Sequence, residues 1–180
     1  MALPNRGQKA VKQAIQQLQR RLPFPLLGLD SDNGTEFTNG NLFRYCKDHG
    51  ITFTRSRPYR KNDQAFVEQK NWTVVRQIIG YDRYEGSQAV ECMQALYQVL
   101  RLYVNFFQPV MKLKSKRRVG SRVAKKYDIA KTPYRRVWQS SQIKVPAKLK
   151  LQQQYLSLNP AALLREIQTL QKELWRLTKG

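Results

Sequence analysis

The sequence predicts an α/β fold built from short parallel strands and amphipathic helices. Residues 26–29 form an apolar run that begins a strand predicted over 26–30, residues 40–49 place apolar side chains on one side of a helix, and residues 51–54 alternate apolar side chains with threonines. A strand–helix–strand order makes the two strands parallel neighbours with a right-handed crossover. The apolar run of the first strand is typical of a strand buried on both faces.

Further helices are predicted on either side of this unit. Residues 8–22 carry apolar side chains at helical spacing and precede the first strand. A helix over about 64–79 and a long helix over about 88–107, capped by Ser87, follow the second strand. The apolar stripe of the long helix predicts packing in the core or in an oligomer.

The C-terminal half begins with a change of composition. Residues 112–136 hold eleven Lys and Arg against a single acid, Asp128. This density favours an arm that contacts phosphates, and the alternative is a solvated linker. Residues 139–155 are Gln-rich and weakly patterned.

A last helix is predicted after Asn159, which serves as its cap, with Pro160 in the first turn. Its apolar residues follow a four-three spacing over two heptads, too few to predict a coiled coil. The pattern leaves two interpretations, a helix packed on the chain itself or on a second copy. The stripe consists of Leu163, Ile167, Leu170, Leu174 and Leu177.

The charge balance indicates a polyanionic partner. Lys and Arg number 33 against 12 Asp and Glu, which leaves a net charge of +21. Nucleic acid is the usual partner of such a chain, although a ribosomal-type or simply basic protein has the same balance. No helix pairs a Lys-rich face with a strong apolar face, so a membrane surface is not predicted.

The remaining composition places the chain in a reducing compartment. Cys46, Cys92 and His49 are too few and too far apart for a structural zinc site, so buried free cysteines are predicted. No apolar run approaches the roughly 20 residues of a spanning helix, and no signal peptide is visible. The expected location is the cytoplasm.

Two acids stand out for their placement. Asp32 follows the first predicted strand directly, and Glu68 lies in the second turn of the helix predicted over about 64–79. Carboxylates from two different elements can converge on one divalent cation, as phosphoryl-transfer chemistry requires. For Glu68 the alternative is a capping or surface glutamate.

These residues carry a resemblance to a known family. Residues 31–37, which read SDNGTEF, the spacing from Asp32 to Glu68, and Asn71 resemble the catalytic core of the retroviral-integrase and DDE-transposase superfamily. The similarity covers residues 5 to 138 approximately. It looks closer to one branch of bacterial insertion-sequence transposases, through residues 53–59, 104–109 and 132–136.

The resemblance implies an RNase H-like fold, a mixed five-stranded sheet with helices on both faces. Only the last two strands are expected here, so the fold would be incomplete, lacking the first three strands and the first of three acids. The implied division is a partial integrase catalytic core over 1–110, a basic extension over 111–155 and an amphipathic C-terminal helix over 156–180. The last two segments form a helix-rich C-terminal extension.

The resemblance also implies metal-dependent DNA strand transfer. In the family three acids bind two Mg²⁺ (or Mn²⁺) ions, and Asp32 and Glu68 match the second and third acids as catalytic and metal-binding residues. With one acid missing, the chain by itself is expected not to join strands. The residues expected to contact DNA are Arg57, Arg60, Lys61, Lys70, Asn71, Arg117, Arg118, Lys125 and Lys126.

Three functions remain open at this point. The chain is the C-terminal portion of a DNA transposase, a non-catalytic remnant that binds nucleic acid, or an assembly module whose helices pair with another transposase chain. Beyond DNA, the expected partner is a second copy of this chain or another transposase chain.

Overall fold

The structure is a computed structural model in two compact units. Within the described residues the fold is mixed α/β and helix-rich, with two separate two-stranded sheets. None of the described helices combines the length and apolarity that crossing a bilayer takes. The first unit comprises residues 1–96 and 169–180, and the second comprises residues 97–168. The structure describes residues 1–5, 7–31, 40–57, 68–69 and 71–178.

The first unit is organised around a parallel strand pair. Strands β1 (Gly28–Ser31) and β2 (Thr52–Arg55) pair in parallel, with Leu29 opposite Phe53, which confirms the predicted strand–helix–strand unit. Its elements are α1 (Gln8–Arg21), β1 (Gly28–Ser31), α2 (Gly40–Asp48), β2 (Thr52–Arg55), a π-helical turn (Asn71–Arg76), the single turn α3 (Gln77–Ile79) and the start of α4 (Gly86–Phe107).

The core of this unit covers one face of the sheet. Leu29 and Phe53 share that face and pack against the cluster. The opposite face exposes Asp30 and Thr54, so the prediction that β1 is buried on both faces is wrong. Among the described residues, α1 and α2 supply their apolar sides to the same face, and this accounts for the half-covered sheet. The buried cluster consists of Val11, Ile15, Leu42, Tyr45, Cys46 and Ile51.

A glycine and a backbone hydrogen bond set the C-terminal end of α2. Gly50 adopts φ 64°, a left-handed conformation suited to glycine, and ends the helix. The Ile51 N–H donates to the Cys46 carbonyl over 2.8 Å, which turns the chain into β2. The Tyr45 hydroxyl donates to Gln19 and joins α2 to α1.

The helix predicted over about 64–79 differs in its described part. Glu68 is helical and exposed, but residues 71–76 form a π-helical turn rather than an α-helical one. The wider turn shifts the apolar stripe, because each hydrogen bond spans one more residue than in an α-helix. Trp72 is accordingly 54% exposed, whereas Ile79 is buried.

Helix α4 confirms the predicted long helix, with one change at its start. It begins at Gly86, so Ser87 lies in the first turn and is not the cap. Ala89, Leu96 and Leu100 are buried, which identifies the apolar stripe as core packing.

The second unit contains two strands in a basic segment where the sequence pattern predicts none. A hairpin of β3 (Leu113–Val119) and β4 (Arg122–Tyr127) occupies the basic segment, and α6 (Val145–Ser157) occupies much of the Gln-rich segment described above as weakly patterned. After the end of α4, its elements are β3 (Leu113–Val119), β4 (Arg122–Tyr127), α5 (Pro133–Gln139), α6 (Val145–Ser157) and the first part of α7 (Pro160–Trp175).

Helix α7 starts as the sequence predicts. The Asn159 side-chain oxygen accepts hydrogen bonds from the backbone N–H groups of Ala161 (2.9 Å) and Ala162 (3.1 Å). Leu163, Ile167 and Leu174 are buried within the single chain. Their burial favours the interpretation of a helix packed on the chain itself.

An aromatic cluster forms the apolar centre of the second unit. The ring of Tyr134 on α5 lies 4.9 Å from that of Tyr155 on α6 and 5.2 Å from that of Phe106 on α4. Such pairs contribute about 0.5–1.5 kcal/mol each beyond the area they bury. Burial raises the pKa of Tyr134 above its ordinary value. Three helices are therefore joined through aromatic side chains.

Both cysteines are free, as predicted, but only one is buried. Cys46 lies in the buried cluster, whereas Cys92 is half-buried and its thiol donates to the Leu170 carbonyl over 3.6 Å. Burial raises the pKa of both thiols, which keeps them protonated and unreactive near neutral pH.

The buried cluster can be tested with neighbouring residues on α2. Replacing Leu42, which is 1% exposed, with Ala should lower the free energy of unfolding by about 2–5 kcal/mol through lost burial and a residual cavity. Phe43→Ala is the matched control, because Phe43 is 57% exposed and its change should stay within about 0.5 kcal/mol. Urea unfolding followed by circular dichroism measures both, and equal losses would contradict this assignment of the core.

Candidate nucleic-acid interface

The carboxyl ends of β1 and β2 form a polar edge in the first unit. Ser31 ends β1 opposite Arg55, and the Ser56 N–H donates to the Ser31 carbonyl over 3.0 Å. Ser31 and Ser56 are both 4% exposed. The Asp30 carboxylate accepts a 2.7 Å hydrogen bond from the Thr54 hydroxyl across the sheet. Chain segments leaving both strands therefore start from one edge.

The predicted metal ligands are only partly described. Asp32 follows Ser31 directly in the sequence and lies outside the described residues. Glu68 is exposed on a helical segment. Carboxylate oxygens are ligands suited to Mg²⁺, so the two residue types fit the ion chemically. Within the described ranges, no three His, Cys, Asp or Glu side chains gather as a metal site. The roles assigned to Asp32 and Glu68 stay predictions.

The basic loop after β2 is described only at its start. Arg57 is exposed directly after Ser56, and Asn71 is exposed at the first position of the π-helical turn. Arg60, Lys61 and Lys70 lie outside the described residues. Contact of these five residues with DNA stays a prediction.

The other four predicted DNA contacts are brought together on the hairpin. Strands β3 and β4 are antiparallel, with Arg117 opposite Ala124, Arg118 opposite Val123 and Lys125 opposite Lys116. Every residue of both strands is exposed. The segment is thus an ordered arm, rather than a linker without secondary structure.

One sequence signal for this hairpin was overlooked. Gly120 and Ser121 form a two-residue connection between the strands, and Gly120 adopts φ 60°. Glycine at the first position of a two-residue loop is typical of tight hairpins, because the positive φ matches the twist of the strands.

The single acid of the basic segment closes the base of the hairpin. The Asp128 carboxylate accepts hydrogen bonds from Arg136 Nη1 (2.6 Å) and from the Lys112 N–H (2.6 Å). In return, the Asp128 N–H donates to the Lys112 carbonyl over 2.9 Å. Arg136 Nη2 reaches the Val110 carbonyl at 2.7 Å, so one guanidinium holds both ends of the hairpin.

A second backbone contact lies beside this clamp of Asp128 and Arg136. Val110 and Lys131 exchange N–H to carbonyl hydrogen bonds of 3.1 and 3.2 Å. Helix α5 then begins after Thr132, whose hydroxyl accepts from the Arg135 N–H over 3.1 Å. The hairpin therefore emerges from a base fixed by both side-chain and backbone bonds.

The clamp stabilises the ionised carboxylate. Hydrogen bonds from the Arg136 guanidinium and the Lys112 N–H lower the pKa of Asp128 to about 2, from 3.8. The same bond raises the pKa of Arg136. The side chains are 20% exposed for Arg136 and 17% exposed for Asp128, so water screens their attraction only in part.

Comparisons with known proteins reach only part of the chain. No protein-family model matches the sequence. The uncharacterized protein y4rM of Sinorhizobium fredii (strain NBRC 101917 / NGR234) is 49% identical over 114 residues, which make up 63% of this chain and 33% of y4rM. The chain therefore spans about a third of the length of this curated relative.

Among solved structures, the chain is similar to the catalytic core domain of BIV integrase. The sequences are 23% identical, the match covers 75% of this chain and 73% of the integrase domain, and the TM-score is 0.43.

Acid should release the hairpin through Asp128. Since folding lowers the pKa of this carboxyl, its contribution to stability is complete above about pH 4 and is lost as pH falls towards 2. Asp128→Asn should remove that pH dependence and weaken the base at neutral pH. Amide NMR signals of residues 113–127, followed between pH 6 and 2, report the change. Glu166→Gln, an exposed acid on α7, is the control and should leave the transition in place.

Proposed function

We propose that this chain is the C-terminal portion of a DNA transposase or integrase that joins DNA strands in a metal-dependent reaction. One observation carries the proposal. Asp32 directly follows the last residue of β1 within the SDNGTEF sequence, and Glu68 lies on a helical segment, with thirty-five residues between the two acids. The parallel pair of β1 and β2 supplies a sheet edge where such a site belongs, since residues that follow parallel strands gather there.

The proposed reaction assigns Asp32 and Glu68 to the metals. Bound Mg²⁺ or Mn²⁺ would activate an attacking hydroxyl and stabilise the leaving oxygen of the phosphodiester. The two carboxylates would hold the ions, and Arg57, Lys70 and Asn71 would position the DNA beside them. An RNase H-like core, to which the parallel pair would contribute two strands, is part of the same proposal.

Charge supports DNA as the partner. Beyond the net charge of +21, residues 113–127 carry seven Lys and Arg and no acid, all on exposed strands. An exposed hairpin whose charged side chains are all positive suits the phosphate backbone, where released counterions drive binding. Pairing with a second copy or another transposase chain belongs to the proposal as well, because exposed apolar side chains such as Leu156 and Trp175 remain on α6 and α7.

DNA binding should depend on salt through the hairpin. Replacing Arg117, Arg118, Lys125 and Lys126 with Ala should weaken binding to duplex DNA and lower the slope of log affinity against log salt by about 4. Fluorescence anisotropy between 50 and 300 mM salt measures the slope. Arg→Lys changes at 117 and 118 keep the charge and should preserve it. An unchanged slope in the Ala variant would show that these side chains do not meet phosphate.

Metal binding should depend on Asp32 and Glu68. Asp32→Asn and Glu68→Gln should each weaken Mn²⁺ binding at least about tenfold, because each removes a charged oxygen ligand. Electron paramagnetic resonance of free Mn²⁺ measures the binding, and Asp48→Asn, an exposed acid on α2, is the matched control. If neither variant differs from the control, the metal assignment fails, and DNA binding alone would identify a non-catalytic DNA-binding protein.

Strand joining supplies the direct test of activity. A protein that contains these residues together with the first acid of the family should join DNA strands with Mg²⁺ or Mn²⁺. Asp32→Asn and Glu68→Gln should each abolish joining without changing duplex affinity in a chelator. Full joining by the Glu68→Gln variant would overturn the proposal.

A further inference from the structure

The hairpin carries cations on both of its faces. Along each strand successive side chains alternate between faces, and directly paired residues share a face. The register therefore sorts six of the seven strand cations into two equal sets, and the seventh, Lys114, lies at the register shift between Leu113 and Ser115. The first face holds Lys116, Arg118 and Lys125, and the second face holds Arg117, Arg122 and Lys126.

Neither face is covered by the described residues. All residues of β3 and β4 are exposed, including the apolar Val119 (63%) and Val123 (41%). A ribbon lying flat on DNA would bring one face to phosphate and leave three cations of the other face in water. Three cations on each face within the regular register suit a position between two rows of phosphates.

Duplex DNA offers such a position in its major groove. That groove is about 12 Å wide and admits a two-stranded ribbon without distortion, whereas the minor groove, at about 6 Å, takes protein elements of this size when the duplex is bent or widened. Building on the proposed function, which makes DNA the partner, we propose that the β3–β4 hairpin inserts into the major groove, with one face towards each phosphate backbone.

The tip of the hairpin suits contact with bases. Gly120 and Ser121 are small and uncharged, and a side-chain carbon built on Gly120 meets nothing within 4 Å. Val119 directly precedes the turn and Val123 lies one residue beyond Arg122 on the other strand, and both offer apolar surface of the kind that contacts thymine methyl groups. In this position the small neutral residues of the turn meet the floor of the groove, and the cations of the two faces lie along the walls of the groove.

The hairpin also bears an internal repulsion that DNA would relieve. Lys116 stands directly opposite Lys125, an arrangement that destabilises a free strand pair. Phosphate beside this pair neutralises the charge. The clamp of Asp128 and Arg136 holds the ribbon in place beforehand, so little ordering remains to oppose binding.

Two variants with the same loss of charge test the geometry in the full chain. One neutralises the first face (Lys116→Gln, Arg118→Gln, Lys125→Gln) and the other neutralises the second face (Arg117→Gln, Arg122→Gln, Lys126→Gln). Binding to random-sequence duplex DNA is measured over a range of salt in a chelator. Each variant should lower the salt slope by about 3. If one variant behaves like the native chain, the hairpin lies flat and the proposal is overturned.

A control variant separates contact from general charge. Lys47, Lys144 and Lys150 are exposed outside the hairpin, and changing all three to Gln should lower the slope by less than about 1. Circular dichroism checks that all variants keep the native fold. An equal drop in this control would attribute the effect to net charge and overturn the proposal.

Chemical protection identifies the groove. Guanine N7 faces the major groove and adenine N3 the minor groove, and dimethyl sulfate modifies both. The native chain should protect N7 and leave N3 reactive, and both face variants should lose N7 protection. Protection of N3 alone, or equal affinity for single-stranded DNA, would overturn the proposal. Asp32 and Glu68 are unchanged in every variant, so Mn²⁺ binding and strand joining test the proposed function separately.

Discussion

The ion pair between Asp128 and Arg136 is the constraint on which the basic surface depends. A two-stranded hairpin with every residue exposed has no core of its own and is marginally stable in isolation. Its order therefore comes from the base, where one carboxylate meets a guanidinium and a backbone N–H, and the same guanidinium reaches Val110. Partial burial of the pair limits screening by water, so salt that weakens contact with phosphate affects the clamp less.

In the second unit, the aromatic packing between helices and the concentration of cations occur on different elements. Aromatic rings of Phe106, Tyr134 and Tyr155 join α4, α5 and α6 without any charged group, while cations concentrate on the hairpin. Lys116 and Lys125 are directly paired and repel each other. The strands tolerate this repulsion because the clamp of Asp128 and Arg136 holds the hairpin at its base. The first unit follows a different arrangement: one sheet face packs on a buried cluster, and the other face exposes Asp30 and Thr54.

Predictions from the sequence are confirmed for elements whose pattern involves residues that are close together in the chain. The parallel pair, α4 and the Asn159 cap are visible because apolar spacing and capping chemistry are local. The hairpin and α6 were missed because neither has a clear apolar face. Val119 and Val123 are exposed among cations, and Leu149 and Leu156 are exposed on α6. For the candidate site, the sequence supplies acids and cations as residue types. The distances between these side chains depend on contacts between distant residues, which a sequence pattern does not contain.

The sequence alone determined the positive charge, the order of strand, helix and strand, and the spacing between Asp32 and Glu68. Each of these is a property of composition or of neighbouring residues. The tertiary structure decided that Asp128 pairs with Arg136, that cations occupy both faces of one hairpin, and that Cys92 is only half-buried. These features depend on strand register and on which distant groups meet, and such contacts form only when the whole chain packs.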